Sequence, residues 1–119
     1  MKPTKEQLQT LRHMLGIDVA HKRNPEEYRN YYCAPHNCAE LHELESLGMV
    51  RAYDKCEHYE WFTATDAGKA AARWSQREML EPKAKRMYSA FLHIADCRPD
   101  MTFRDFLTAP DLHDYRASI

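Results

Sequence analysis

Four residues that can bind metal or act as nucleophiles stand close together as Cys33-x2-His36-x-Cys38-x3-His42, and a further pair, Cys56-x-His58, follows. Zinc favours four nitrogen and sulfur ligands in a tetrahedron, so some of these six could share one structural zinc. The paired Cys-x2-Cys spacing of common zinc sites is absent, so the alternative is ordinary Cys and His residues in an aromatic-rich stretch. Cys33 with His36 could also be a nucleophile and its base. No orienting third group or oxyanion site accompanies them. His36-Asn37 matches a fragment of nuclease motifs, without the metal ligands that would complete one. The three glycines, Gly16, Gly48 and Gly68, are isolated, so no phosphate-cradling loop exists. The sequence carries no enzyme signature and calls for no cofactor apart from that zinc hypothesis.

Charge is the second chemical signal. The 119 residues hold 17 Lys+Arg and 18 Asp+Glu, for a net charge of −1. A general nucleic-acid binder carries a basic excess, which this balance lacks. The distribution is uneven. Over residues 31–68 two basic residues (Arg51, Lys55) meet seven acidic ones (Glu40, Glu43, Glu45, Asp54, Glu57, Glu60, Asp66), a net of −5. The positive charge lies on the flanks, at Arg73, Arg77, Lys83, Lys85 and Arg86. That flank could touch phosphates or an acidic protein, or be a solvated face. The tyrosines Tyr28, Tyr31, Tyr32, Tyr53 and Tyr59 with Trp61 could form a partner-binding patch. The plainer expectation is that Tyr31, Tyr59 and Trp61 fill the sheet face behind a hairpin. Arg29-Asn30, between tyrosines, suits a structural hydrogen-bond node.

The elements that must position these groups follow from periodicity. Thr4 caps a helix to Leu15, with Leu8, Leu11, Met14 and Leu15 on one face and Gly16 ending it. Residues 17–24 read as a loop. Asn24-Pro25-Glu26-Glu27 has the form of a helix start, so one helical turn passing into a strand is expected. A helix from Cys38 to Leu47 carries Leu41, Leu44 and Leu47 and stops at Gly48. Met49–Tyr53 and His58–Ala64 read as two strands of a hairpin. In the second, Tyr59, Trp61 and Thr63 face one way and His58, Glu60 and Phe62 the other. Thr65 caps a helix to about Leu80 with Ala67, Ala70, Ala71, Trp74 and Met79. Pro82 starts another, with Met87, Tyr88, Phe91, Leu92 and Ala95 as its stripe. Thr102 opens a short helix that buries Phe103, Phe106 and Leu107, and the tail adds one more turn.

The stretch Leu41-His42-Glu43-Leu44-Glu45-Ser46-Leu47-Gly48-Met49-Val50, followed by a hairpin and Phe62-Thr63-Ala64-Thr65-Asp66-Ala67-Gly68-Lys69, resembles the winged-helix pattern of small bacterial regulators. The resemblance covers about residues 38–72. The whole chain is also similar to small proteins of tailed phages and prophages, through its Leu-x-x-Leu helix and Tyr-Arg-Asn-Tyr-type segment. The fold expected is mainly α with a small β hairpin, an α+β class. A winged-helix-like core spans 1–81 and a C-terminal helical extension spans 82–119. That extension packs on the core or forms a dimer arm, which leaves a homodimer open.

Two functions are expected, the first favoured by the charge map and the second by the fold resemblance. The first is a non-enzymatic, phage-type protein-binding module. Its acidic face, Glu40, Glu43, Glu45, Glu57 and Glu60, contacts a basic surface on a host or phage protein. An inhibitor of a host nucleic-acid machine, of the anti-CRISPR or anti-defence type, would be one such module. The second is a DNA-binding transcriptional regulator that uses the basic flanking helices. A winged-helix reader needs polar and basic residues on its recognition helix, and here that helix is acidic. No apolar run is long enough to span a bilayer and no signal peptide opens the chain, so the expected place is the bacterial cytoplasm. In that setting the four cysteines are expected as thiols.

Overall fold

The structure, a computed structural model, describes residues 2–119. It is a mainly helical α+β protein with one small three-stranded antiparallel sheet. The described residues divide into two compact units, one of residues 2–18 and 26–78, the other of residues 19–25 and 79–119.

The first unit contains helix α1 (Lys5–Leu15), strand β1 (Tyr32–Pro35), helix α2 (Ala39–Ser46), strands β2 (Val50–Lys55) and β3 (Tyr59–Ala64), and helix α3 (Asp66–Glu78). Thr4 caps α1 through a capping box with Gln7. Gly16 ends the helix in the left-handed conformation, φ 76°, which a glycine adopts without steric cost. The turn expected at Asn24–Glu27 does not form. Residues 25–31 run without regular structure, and the segment is held by its side chains instead. Arg29 donates from Nε and Nη2 to the His13 carbonyl, at 3.1 and 2.7 Å, in the last turn of α1. A cation there also meets the negative end of the helix dipole.

The sheet order is β1-β3-β2, so β3 is central. Asn30 extends its edge pairing beyond β1: its Oδ1 accepts from the Ala64 amide at 2.8 Å and its Nδ2 donates to the Ala64 carbonyl at 3.2 Å. β2 pairs with β3 with a register shift between Ala52 and Asp54, which leaves Tyr53 as the extra residue of a bulge. The alternation expected for β3 is present. Glu60, Phe62 and Ala64 are buried, and Tyr59, Trp61 and Thr63 lie on the other face.

The inner sheet face packs Ala34, Val50, Phe62 and Ala64 against Leu11, Met14, Leu15 and Ile17 from α1, Leu41 and Leu44 from α2, and Ala72 from α3. The start of α3 is pressed onto the start of β2. Thr65 donates to the Gly48 carbonyl and accepts from the Gly68 amide at 3.2 Å. A Cβ on Gly68 would stand 1.9 Å from the Met49 carbonyl oxygen, so only glycine permits this approach. The buried side of α3 is Gly68, Ala72, Ser75 and Gln76. The expected stripe is therefore displaced, and Trp74 is 65% exposed.

The second unit contains helix α4 (Lys83–Ala95), helix α5 (Phe103–Thr108), a 3-10 turn (Pro110–Leu112) and helix α6 (His113–Ala117). Ala90, Phe106, Leu112 and Ile119 form its core, with Met87, Phe91, Ile94, Met101, Phe103 and Tyr115 around them. Leu107, Tyr88 and Leu92, expected inside, are exposed.

A candidate interaction face on the sheet

The outer face of the sheet is built by the period of two. Cys33 stands opposite Trp61, Pro35 opposite Tyr59, and Arg51 opposite Thr63. With one face committed to the core, the other reaches solvent. Tyr31 and Tyr59 are 50% and 51% exposed, and the Tyr31 and Trp61 ring centroids are 6.4 Å apart. The aromatic residues thus do not fill a core behind the hairpin. The Arg29 guanidinium, fixed on the His13 carbonyl, lies 5.2 Å from the Tyr28 ring centroid and 6.0 Å from that of Tyr31. Toward the hairpin end the face turns acidic, with Asp54 opposite Trp61 and Glu57 exposed in the turn.

Glu60 sits between Tyr59 and Trp61 but points inward and is 4% exposed. Its Oε2 is 2.9 Å from His42 Nε2, and its Oε1 is 3.8 Å from His36 Nδ1 and 3.7 Å from Lys55 Nζ. Burial by itself would raise its pKa. The His42 hydrogen bond and the charges of His42, His36 and Lys55 outweigh that, and the carboxyl is held below its ordinary value. The other nitrogen of His42 faces Glu45 at 3.4 Å, and its ring meets Phe62 edge-on. One carboxylate on the central strand therefore ties together α2, the turn after β1, and β2.

These contacts revise the expected acidic face. Glu60 is interior. Glu43 accepts from Gln7 Nε2 at 2.8 Å and Glu40 from Thr10 Oγ1 at 3.1 Å, so both join α2 to α1. Glu45 faces His42 and the Ala52 amide. Of the five, Glu43, Glu45 and Glu57 are exposed, Glu57 at the hairpin tip beside the aromatic face.

The basic set is also divided. Arg73 pairs with Glu27 at 3.0 Å. Arg86 is half-buried: Nη1 donates to the Glu81 carbonyl at 2.6 Å, Nη2 to that of Ile119 at 3.4 Å, and its buried Nε has no partner. Arg77, Lys83 and Lys85 are exposed.

Cys33, His36, Cys38 and His42 do not converge. Cys33 lies on the outer sheet face, Cys38 stands just before α2 and packs against the core, and His36 and His42 turn to Glu60. Spacing along a strand and then a helix sends the four to different faces. Among the described residues, no group of three or more His, Cys, Asp or Glu side chains is placed to hold a metal ion. Among the described residues, no helix is long and apolar enough to cross a membrane. The Glu60 node escaped sequence reasoning because its members come from four separate segments. The one available signal was a Glu on the apolar side of an alternating strand.

Compared with family models, curated proteins and solved structures, the chain matches none.

Proposed function

We propose that the chain is a non-enzymatic binding module that docks a basic protein surface on the outer face of its sheet. The observation that carries this reading is the aromatic set of exposed Tyr31 and Tyr59 with half-buried Trp61, on a sheet face whose reverse is anchored in the core. Rigid aromatics with polar tips are typical anchors of interfaces. The Asp54 and Glu57 end complements arginine and lysine, whose cations also sit well over tyrosine and tryptophan rings. In the phage setting that the resemblance implies, a suitable partner is a host nucleic-acid machine, whose phosphate-binding surface is basic. The winged-helix-like reading belongs to the same proposal. Its support is the passage from α2 through Gly48 into the β2–β3 hairpin and the Thr65-capped α3.

The alternative, a DNA-binding regulator, draws support from exposed Arg77, Lys83 and Lys85. Against it, a helix-turn-helix reader uses two successive helices. One helix, α2, lies between β1 and β2, and it carries Glu40, Glu43 and Glu45.

The test compares partner capture from host lysate by the native chain, by Tyr31→Ala/Tyr59→Ala, and by Lys83→Ala/Lys85→Ala. Circular dichroism confirms that each is folded. Loss of capture in the tyrosine variant alone supports the proposal. Loss in the lysine variant alone, with salt-sensitive binding to duplex DNA, supports the regulator.

A further inference from the structure

The second unit holds an open cleft of about 480 Å³ lined by His21, Ser89, Leu92, His93, Ala95 and Asp96. The His21 and His93 rings meet there, with centroids 5.3 Å apart and planes inclined by 34°. Two hydrogen bonds fix the segment that carries His21. The Ala20 carbonyl accepts from the Glu81 amide at 3.0 Å, and Arg23 donates to the Ala117 carbonyl at 3.2 Å. His93 lies in the last turn of α4 and Asp96 is the C-cap, three residues on and so on the same side of the helix.

The chemistry of the cleft selects among ligands. Ser89, His93 and Asp96 have the residue types of a hydrolytic triad. No hydrogen bond links Ser89 to His93 or His93 to Asp96, so no relay activates the hydroxyl. An anion would find the Asp96 carboxylate beside the imidazoles. The neutral imidazole is the form that ligates metals.

We propose that His21 and His93 together bind a divalent first-row transition-metal ion of the zinc class. Imidazole suits such ions. The two rings supply two ligands, and water from the open side fills the remaining positions. Asp96 adds negative charge at the mouth. The site is separate from the Cys33, His36, Cys38 and His42 set and from the sheet face, and its existence does not depend on the proposed function.

The probe is zinc chloride added to the full chain, followed by calorimetry and by nitrogen NMR of the imidazole rings. The expected result is one zinc per chain, with the ring nitrogens of His21 and His93 shifting together. His21→Ala and His93→Gln should each weaken binding by at least about tenfold, the scale on which even outer-shell partners of a metal count. Cys33→Ser should leave it unchanged. His93 is exposed, so its variant tests the site even if His21→Ala fails to fold. Zinc shifts confined to other residues, an affinity that His93→Gln leaves intact, or no binding at millimolar zinc would each overturn the proposal.

Discussion

His42 on α2 and Glu60 on β3 meet at 2.9 Å on the inner side of the same strand that presents Tyr59 and Trp61 to solvent. The hydrogen-bonded pair and the aromatic face are therefore two sides of one strand. The positions flanking the carboxylate in sequence are the ones a partner would touch.

The pair sets an acid limit. Glu60 has a folded pKa below its ordinary value of 4.5, so its contribution to stability is present above that value and is lost as pH falls through the folded pKa. Glu60→Gln should flatten this part of the acid limb and lower stability at neutral pH. Urea unfolding of both proteins at a series of pH values, from neutral to well below 4.5, reads the difference. Parallel curves would show that the carboxylate charge does not matter.

Gly68 and Gly48 should respond differently to alanine. A methyl at Gly68 meets the Met49 carbonyl at 1.9 Å, so strand and helix must separate. The expected loss is about 3 kcal/mol or more, at the upper end for overpacking. At Gly48 nothing lies within 4 Å, and the cost is the left-handed backbone at φ 74°. About 1 kcal/mol is expected there. Thermal or urea unfolding ranks the two.

Asn30→Ala removes both partners of the outer Ala64 backbone groups at once. A loss of about 2 kcal/mol follows, since unpaired buried groups cost about 1–3 kcal/mol. Amide exchange at Ala64 should accelerate more than at Phe62. Equal acceleration would mean that the whole strand loosens together.

Arg86 and its neighbours separate architecture from surface. Arg86→Ala removes the donor to the Glu81 and Ile119 carbonyls and should destabilise the second unit. Lys83→Ala and Lys85→Ala should stay within about 0.5 kcal/mol of the native chain, as exposed positions usually do. Unfolding followed by the near-ultraviolet signal of Tyr88 and Tyr115 tests this.

Local signals in the sequence were enough for the elements of the first unit. Thr4, Gly16, Gly48 and Thr65 mark helix ends, and the alternation of β3 separates Phe62 from Trp61. The segment 25–31 was not legible in this way. Pro25 and the two glutamates encode a helix start, but Arg29 and Asn30 spend their side chains on the His13 and Ala64 backbones, which are distant in sequence. The candidate site was half legible. Aromatic density pointed to Tyr31 and Tyr59, but burial is a tertiary property, and composition could not say which sheet face the core would take. Counting charges likewise could not reveal that Glu60 turns inward or that Arg86 binds carbonyls. Each of those fates depends on a partner at least five residues away.

The bulge at Tyr53 bears on self-association. Both outer strands of a three-stranded sheet expose unpaired backbone groups that could recruit another chain. In β1 that edge is four residues long and ends in Pro35. In β2, the extra residue interrupts the regular ladder, and Lys55 closes the strand with a charge. A straight, uninterrupted β2 would offer a template for fibril-like stacking beside an already aromatic face. The irregularity disfavours edge-to-edge pairing through the strand that borders those rings.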